Sequence, residues 1–108
     1  KYGIQPHELP DFLVALQEYS TLEVQGLMTL ALFTPDVERV RECFVLLRSL
    51  RDQMREEAPE LIGPGELSMG MSGDFEVAIE EGATVVRVGQ AIFGARETPD
   101  SDYWPGMA

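Results

Sequence analysis

At 108 residues the chain has room for one modest domain, and a hydrophobic share of 44% beside 25% charged residues is that of a globular chain, not a disordered one. Nineteen acidic against eight basic residues give a formal net charge of -11, which argues against a general affinity for nucleic-acid backbones or anionic membranes. No apolar run approaches the ~18 residues of a spanning helix, and no stretch has the pattern of a signal peptide.

Cys43 is the single cysteine, so no internal disulfide is available; its place within a helical pattern suits a small buried hydrophobe in a reducing cytoplasm, the location expected here. Lys1 is the only lysine and His7 the only histidine. A Ser/His/Asp triad would have to use His7, which stands beside Pro6 at a helix entry and reads as a surface residue. Metal sites with several His or Cys ligands cannot be assembled from these residues. A first residue of lysine rather than methionine points to a fragment or a processed piece.

From Pro6 to Tyr19 the apolar residues Leu9, Phe12, Leu13 and Leu16 recur at helical spacing, with Pro6 and Pro10 admissible only near the start, which predicts an amphipathic helix. Leu22 to Leu32, LEVQGLMTLAL, alternates at first and then becomes nearly all apolar, the pattern of a strand covered on both faces. Thr34, Pro35 and Asp36 then read as a helix start, with the Thr34 hydroxyl as cap, proline in the first turn and an acid near the positive end. The long helix that follows carries Val37, Val40, Phe44, Leu47, Leu50 and Met54 on one stripe. Glu38, Arg41, Glu42, Arg48, Asp52 and Arg55 fall on the other faces and read as a solvated surface, with Arg48 and Asp52 spaced for an i,i+4 pair. Pro59 ends this helix.

Glu66 to Met71 predicts a short strand, and Ser72 offers a cap for a helix with Phe75, Ala78 and Ile79 on one side. Gly82 closes that helix as a left-handed C-cap. Thr84 to Val88 is a β-branched strand, and Gln90 to Arg96 a short helix. Residues 97–108, ETPDSDYWPGMA, read as a polar tail whose Tyr103 and Trp104 dock on the body. Met28, Met69 and Met71 are expected to fill gaps in the core, and Glu80 and Glu81, near a helix end, to be solvated.

The order is therefore αβαβαβα, without internal repeat or low-complexity tract, and implies a parallel sheet. A (β/α)8 barrel takes ~250 residues, and three strands alone leave open edges. The chain thus reads as a small open α/β sheet or as part of a larger closed one.

In parallel α/β folds ligands sit beyond the carboxyl ends of the strands. Ser68 to Gly73 and Gly89 to Ala91 occupy that edge on two successive strands. Each combines small residues, which let a ligand approach the backbone, with a helix start whose N–H groups favour an anion. Either loop alone is ordinary connector chemistry; the pair matches the barrel phosphate sites built by the loops after the last two strands. In the second strand Val85, Arg87 and Gly89 share one face, while Thr84, Val86 and Val88 share the other. With the valines against helices, Arg87 points inside, where a guanidinium needs a carboxylate, a phosphate or a ring nitrogen. A structural pair with an inward acid stays open as the alternative.

KYGI at 1–4, QGLMTL at 25–30, LSMGMSGDFEVAI at 67–79 and GATVVRVGQAIFGAR at 82–96 resemble the C-terminal portion of the pyridoxal phosphate homeostasis protein family, also called the proline synthetase co-transcribed family. The resemblance runs over almost the whole chain to about Arg96. It implies that residues 1–96 are the C-terminal part of a single-domain (β/α)8 barrel of the alanine racemase N-terminal-domain type. The last three strands, Leu22 to Leu32, Glu66 to Met71 and Thr84 to Val88, and their helices would be present.

The resemblance further implies binding of pyridoxal 5'-phosphate, in vitamin B6 and amino-acid homeostasis, without catalytic turnover. Phosphate contacts are implied for Ser68 and Ser72 after the seventh strand and for Gly89 and Gln90 after the eighth, with Arg87 approaching the pyridine nitrogen. A cation there keeps that nitrogen unprotonated and weakens the electron sink, which fits a carrier better than a fast racemase. Gln90 departs from the small hydroxyl residue common in the family, keeping the backbone N–H but not the same side-chain contact. The family's Schiff-base lysine lies on the first barrel strand, hence in an N-terminal half not among these residues; Lys1 matches a different lysine, after the fifth strand. That half, or another copy, is the partner expected to cover the open strand edges. The alternatives are part of a pyridoxal-phosphate-dependent racemase or decarboxylase barrel, which needs a second domain with a catalytic base, and an acidic protein-interaction module.

Overall fold

The computed structural model describes residues 3–94; Lys1 and the tail expected at 97–108 lie outside the described residues. The chain enters through a 3-10 turn, Pro6–Glu8, and continues into helix α1, Leu9–Leu16. Pro10 sits in the first turn of α1, where a missing N–H breaks no helical bond. Leu9 and Leu13 are buried, whereas Phe12, expected on the same stripe, is 45% exposed. His7 is exposed, as expected of a surface histidine.

Strand β1 comprises only Gly26–Met28, far short of the span expected from Leu22 to Leu32. Val24, Leu27 and Ala31 do pack against the core, but Met28 is 60% exposed. The apolar run predicted cover on both faces, and among the described residues helices cover one face alone. Met28 is therefore not a core filler, unlike Met69, which is fully buried.

Helix α2, Val37–Glu57, is capped by Asp36 and not by Thr34. The Asp36 carboxylate accepts the N–H groups of Glu38 at 3.1 Å and Arg39 at 3.4 Å, while the Thr34 hydroxyl accepts the Asp36 N–H one step earlier. Of the predicted stripe, Val40, Phe44, Leu47 and Met54 are buried; Val37, in the first turn, stays exposed. A 3-10 turn, Pro59–Leu61, follows the helix.

Strand β2, Glu66–Met71, is found where the sequence predicts it and is central in the sheet order β1–β2–β3, where strand β3 is Val85–Arg87. Both pairings are parallel; Leu27 lies beside Leu67, Met28 beside Ser68, and Ser68 beside Val85. Leu67 and Met69 turn to the helix side, where they meet Val40, Phe44, Leu47 and Ala78 in the main core. Ser68 consequently faces the opposite side with Met28 and Val85. A second cluster of Leu9, Leu13, Met54 and Ile62 fastens α1 to the C-terminal part of α2.

Helix α3, Phe75–Glu80, lies close on β2 because Gly70, at φ +104°, has no Cβ; one placed there would come within 2.7 Å of the Ala78 Cβ. The N-cap position of α3 does not fall on Ser72. Asp74 holds the N-cap position, and its carboxylate turns back to accept the Met71 N–H at 2.7 Å, closing the turn between strand and helix. Gly82 ends α3 at φ +99°, the left-handed close that the sequence predicts. After β3, helix α4 spans Gln90–Phe93; the end of the expected span at Arg96 lies outside the described residues.

The charged face of α2 is not simply solvated. Arg48 makes no pair with Asp52, which is bonded by its neighbour Arg51. Arg48 reaches α3 instead, donating to the Glu81 carboxylate at 2.9 Å and to the Glu81 carbonyl at 3.0 Å. Arg41 donates to Glu81 at 2.7 Å and to Glu80 at 2.9 Å. The Glu81 side chain is thereby only 14% exposed, contrary to the solvated position expected for it.

The hydrogen bond from Arg41 and, after it, that from Arg48 hold the Glu81 carboxyl below the usual carboxylate range, against the opposing effect of burial. A lowered folded-state pKa contributes stability that is complete above the ordinary glutamate value of ~4.3. It is lost as pH falls from there through the folded-state value. The melting temperature of the wild type should therefore drop more steeply on acidification below pH ~4.3 than that of Glu81→Gln, as read by thermal unfolding across a pH series.

Candidate functional site

The five residues singled out from the sequence stand within β2 and β3 or directly beyond their carboxyl ends. Ser68 is the third residue of β2 and is half-buried; Ser72 lies, also half-buried, in the turn that Asp74 closes. Arg87 is the last residue of β3, Gly89 is the N-cap of α4, and Gln90 is the first residue of that helix. Gly89 and Gln90 are exposed. A Cβ added at Gly73 or at Gly89 would meet nothing within 4 Å, so the backbone on both loops borders open space.

Arg87 and Ser68 are in contact. The guanidinium crosses β2 and donates through Nη2 to the Thr29 carbonyl, beyond the end of β1, at 2.9 Å, and to the Ser68 carbonyl at 3.4 Å. One side chain thus ties β3 to the middle of β2 and to the residue after β1. No carboxylate accepts it among the described ion pairs, so the inward acid considered as its alternative partner does not hold it. Its Nε is buried without a hydrogen-bond partner. A cation resting on neutral carbonyls, with one donor orphaned, gains from any anion or ring acceptor that reaches it.

Sequence reasoning missed Thr29. Its contribution is a backbone carbonyl, which every residue carries, so side-chain identity gave no signal. Asp74 and Thr84 were also missed as organisers of the strand ends. The Thr84 hydroxyl accepts the Leu67 N–H at 2.8 Å and so bonds β2 to the segment entering β3. A threonine at a strand entry is a detectable signal, yet its ordinary reading is β propensity.

Helices α3 and α4 have six and four residues, too few for much of a macrodipole. Attraction of an anion here must rest on individual N–H groups, hydroxyls and the Arg87 charge. Among the described residues no three His, Cys, Asp or Glu side chains are grouped to hold a metal ion, and no helix is long and apolar enough to cross a membrane.

Parallel strands, each leading into a helix, with small and cationic residues gathered at their carboxyl edge, define an α/β protein of the kind that binds ligands at that edge. The chain belongs to the alanine racemase N-terminal domain family, whose model matches residues 1–97. It is 44% identical over 97 residues to the pyridoxal phosphate homeostasis protein of Aquifex aeolicus, covering 90% of this chain and 42% of that protein. With the human pyridoxal phosphate homeostasis protein it shares 39% identity over 111 residues, covering 93% of this chain and 39% of the relative. Among solved structures it is similar to PipY of Synechococcus elongatus with PLP bound, at a TM-score of 0.76 and 34% identity over 85% of this chain and 43% of PipY. PipY without PLP gives a TM-score of 0.78, also at 34% identity, over 87% of this chain and 43% of PipY. The chain spans about two fifths of the length of these relatives. The family and these neighbours imply a TIM-barrel fold, with which a three-strand parallel sheet is consistent as a fragment.

Replacing Arg87 by methionine removes its bonds to the Thr29 and Ser68 carbonyls. Hydrogen bonds from a charged donor are worth about 1.5–3 kcal/mol, so Arg87→Met should lower unfolding free energy by roughly that amount in urea titration, with the m-value unchanged.

Proposed function

We propose that residues 1–96 form the C-terminal part, with the last three strands, of a (β/α)8 barrel that binds pyridoxal 5'-phosphate as a homeostasis protein and not as an enzyme. The observation that carries this reading is Arg87, a cation with an orphaned Nε resting on the carbonyls of Thr29 and Ser68 beside two open glycine loops. It is supported by the likeness to proteins named for pyridoxal phosphate homeostasis and to PipY with PLP bound.

In this reading Ser68, Ser72, Gly89 and Gln90 hold the phosphate and Arg87 faces the pyridine nitrogen. Bound pyridoxal phosphate supplies an electron sink for amino-acid chemistry. Arg87, whose guanidinium offers donors and no acceptor, would donate to the ring nitrogen, so that nitrogen would stay an acceptor and the sink shallow. The two glycines leave room for phosphate oxygens against the backbone, and Ser68 and Ser72 add hydroxyl donors. The lysine that bonds the cofactor lies on a strand outside these 108 residues. The remaining strands, or those of another copy, pair with the edges of β1 and β3 and cover Met28 and Val85, which are exposed by 60% and 43%. In this reading the protein works in the cytoplasm.

The test is an adduct map. The whole protein, incubated with pyridoxal 5'-phosphate and reduced with borohydride, should carry one pyridoxyl label outside residues 1–108 and show no alanine racemisation. A label on Lys1, no label, or measurable racemisation would contradict the reading.

A further inference from the structure

Helix α3 should not hold its position unaided. Six residues are too few for a stable isolated helix, and its C-terminal end carries Glu80 and Glu81, two adjacent like charges that repel each other unless they are paired. Two arginines of α2 reverse that penalty. Arg41 and Arg48 are two turns apart on one face of α2, on either side of the fully buried Phe44, so both guanidinium groups start from a fixed base. They take different oxygens of the same carboxylate: Arg41 binds Glu81 Oε2 at 2.7 Å and Arg48 binds Glu81 Oε1 at 2.9 Å. Arg48 also bonds the Glu81 carbonyl, and Arg41 bonds Glu80. Isolated surface ion pairs contribute little, whereas a shared and largely covered carboxylate between two anchored arginines fixes direction as well as distance.

What this clamp fixes is the element between the two ligand loops. The N-terminal end of α3 follows the turn containing Ser72 and Gly73; its C-terminal end leads through Gly82, Ala83 and Thr84 into β3, which carries Arg87 and delivers Gly89. A change in the seating of α3 moves the first loop and the entry to the second together. Core packing holds this helix through two side chains: Ala78 is its one buried residue, Val77 packs against the core partly buried, and Ile79 is 54% exposed.

We propose that Arg41, Arg48 and Glu81 are positioning residues for the phosphate end of the cofactor site: their ion-pair clamp sets the seating of α3 and with it the spacing between the Ser72 loop and the Gly89 loop. The inference rests on the phosphate contacts proposed above. None of the three touches the ligand. Their effect falls on phosphate recognition more than on the ring, because Arg87, although carried by β3, has a hold of its own on the Thr29 and Ser68 carbonyls.

The experiment compares pyridoxal 5'-phosphate with pyridoxal, which has the ring but no phosphate, by calorimetric titration of the whole protein and its variants. Glu81→Gln should weaken pyridoxal 5'-phosphate binding on the order of tenfold, as a displacement of positioning groups does, while pyridoxal binding changes by less than about twofold. A clamp that serves stability alone would lower both affinities in the same proportion or neither, and either result overturns the proposal. Should Glu81→Gln fail to fold, Arg41→Lys, which keeps the charge and loses the two-pronged geometry, is read the same way: reduced preference for the phosphorylated ligand supports the clamp, and wild-type preference overturns it. A wild type that binds both ligands equally would remove the phosphate contacts themselves, a failure of the earlier reading that is visible before any variant is made.

Discussion

Every candidate ligand contact depends on the burial of one face of β2. Leu67 and Met69 have no exposed surface, and their packing against Phe44, Leu47 and Ala78 fixes which way the strand is turned. Because strand side chains alternate, that burial forces Ser68 to the opposite face. The parallel pairings then bring Met28 and Val85 to the same side, and Arg87 can cross from β3 to Ser68 of β2 and to Thr29 beyond β1. A slip of one residue in β2 would bury Ser68 and expose Leu67, and the site would not assemble.

On that frame the electrostatics are economical. A chain with a net charge of -11 has few cations, and five of the six described arginines are used for architecture. Arg41 and Arg48 join α2 to α3, Arg51 and Arg55 bond the carbonyls of Gly65 and Pro64 in the loop before β2, and Arg87 bonds across the sheet to Ser68 and Thr29. Arg87 differs from the rest in resting on carbonyls with a buried Nε unpaired. The other four meet carboxylates or the carbonyls of the loop before β2, and none of them leaves a buried donor unpaired. The distinction separates an arginine that completes the fold from one with capacity left for a ligand.

Much of this was legible in the sequence. The 3.6-residue stripe of α2, the limits of β2 and the left-handed close at Gly82 follow from local pattern, and they appear as predicted. The positions of Ser68, Ser72, Arg87, Gly89 and Gln90 at one sheet edge follow from strand order and alternation. What escaped depends on partners distant in sequence or on competition between neighbours. Arg48 has a suitable acid at Asp52, and nothing local reveals that Glu81, thirty-three residues on, binds it better. Thr34 and Asp36 both suit a cap, and the carboxylate, accepting two N–H groups, won. Ser72 lost the cap position to Asp74, whose carboxylate closes the turn behind it. The long apolar run around β1 overstated the strand because its pattern anticipates cover on the face where Met28 lies open.

The central claim is that two loops, one after β2 and one after β3, take the phosphate of a single ligand. Backbone amide shifts during titration with pyridoxal 5'-phosphate test it most directly. The account predicts that the amide signals of Ser72, Gly73, Gly89 and Gln90 move together with one saturation curve, and that pyridoxal without the phosphate leaves them in place. Shifts confined to one loop, or equal shifts with the unphosphorylated ligand, would contradict it.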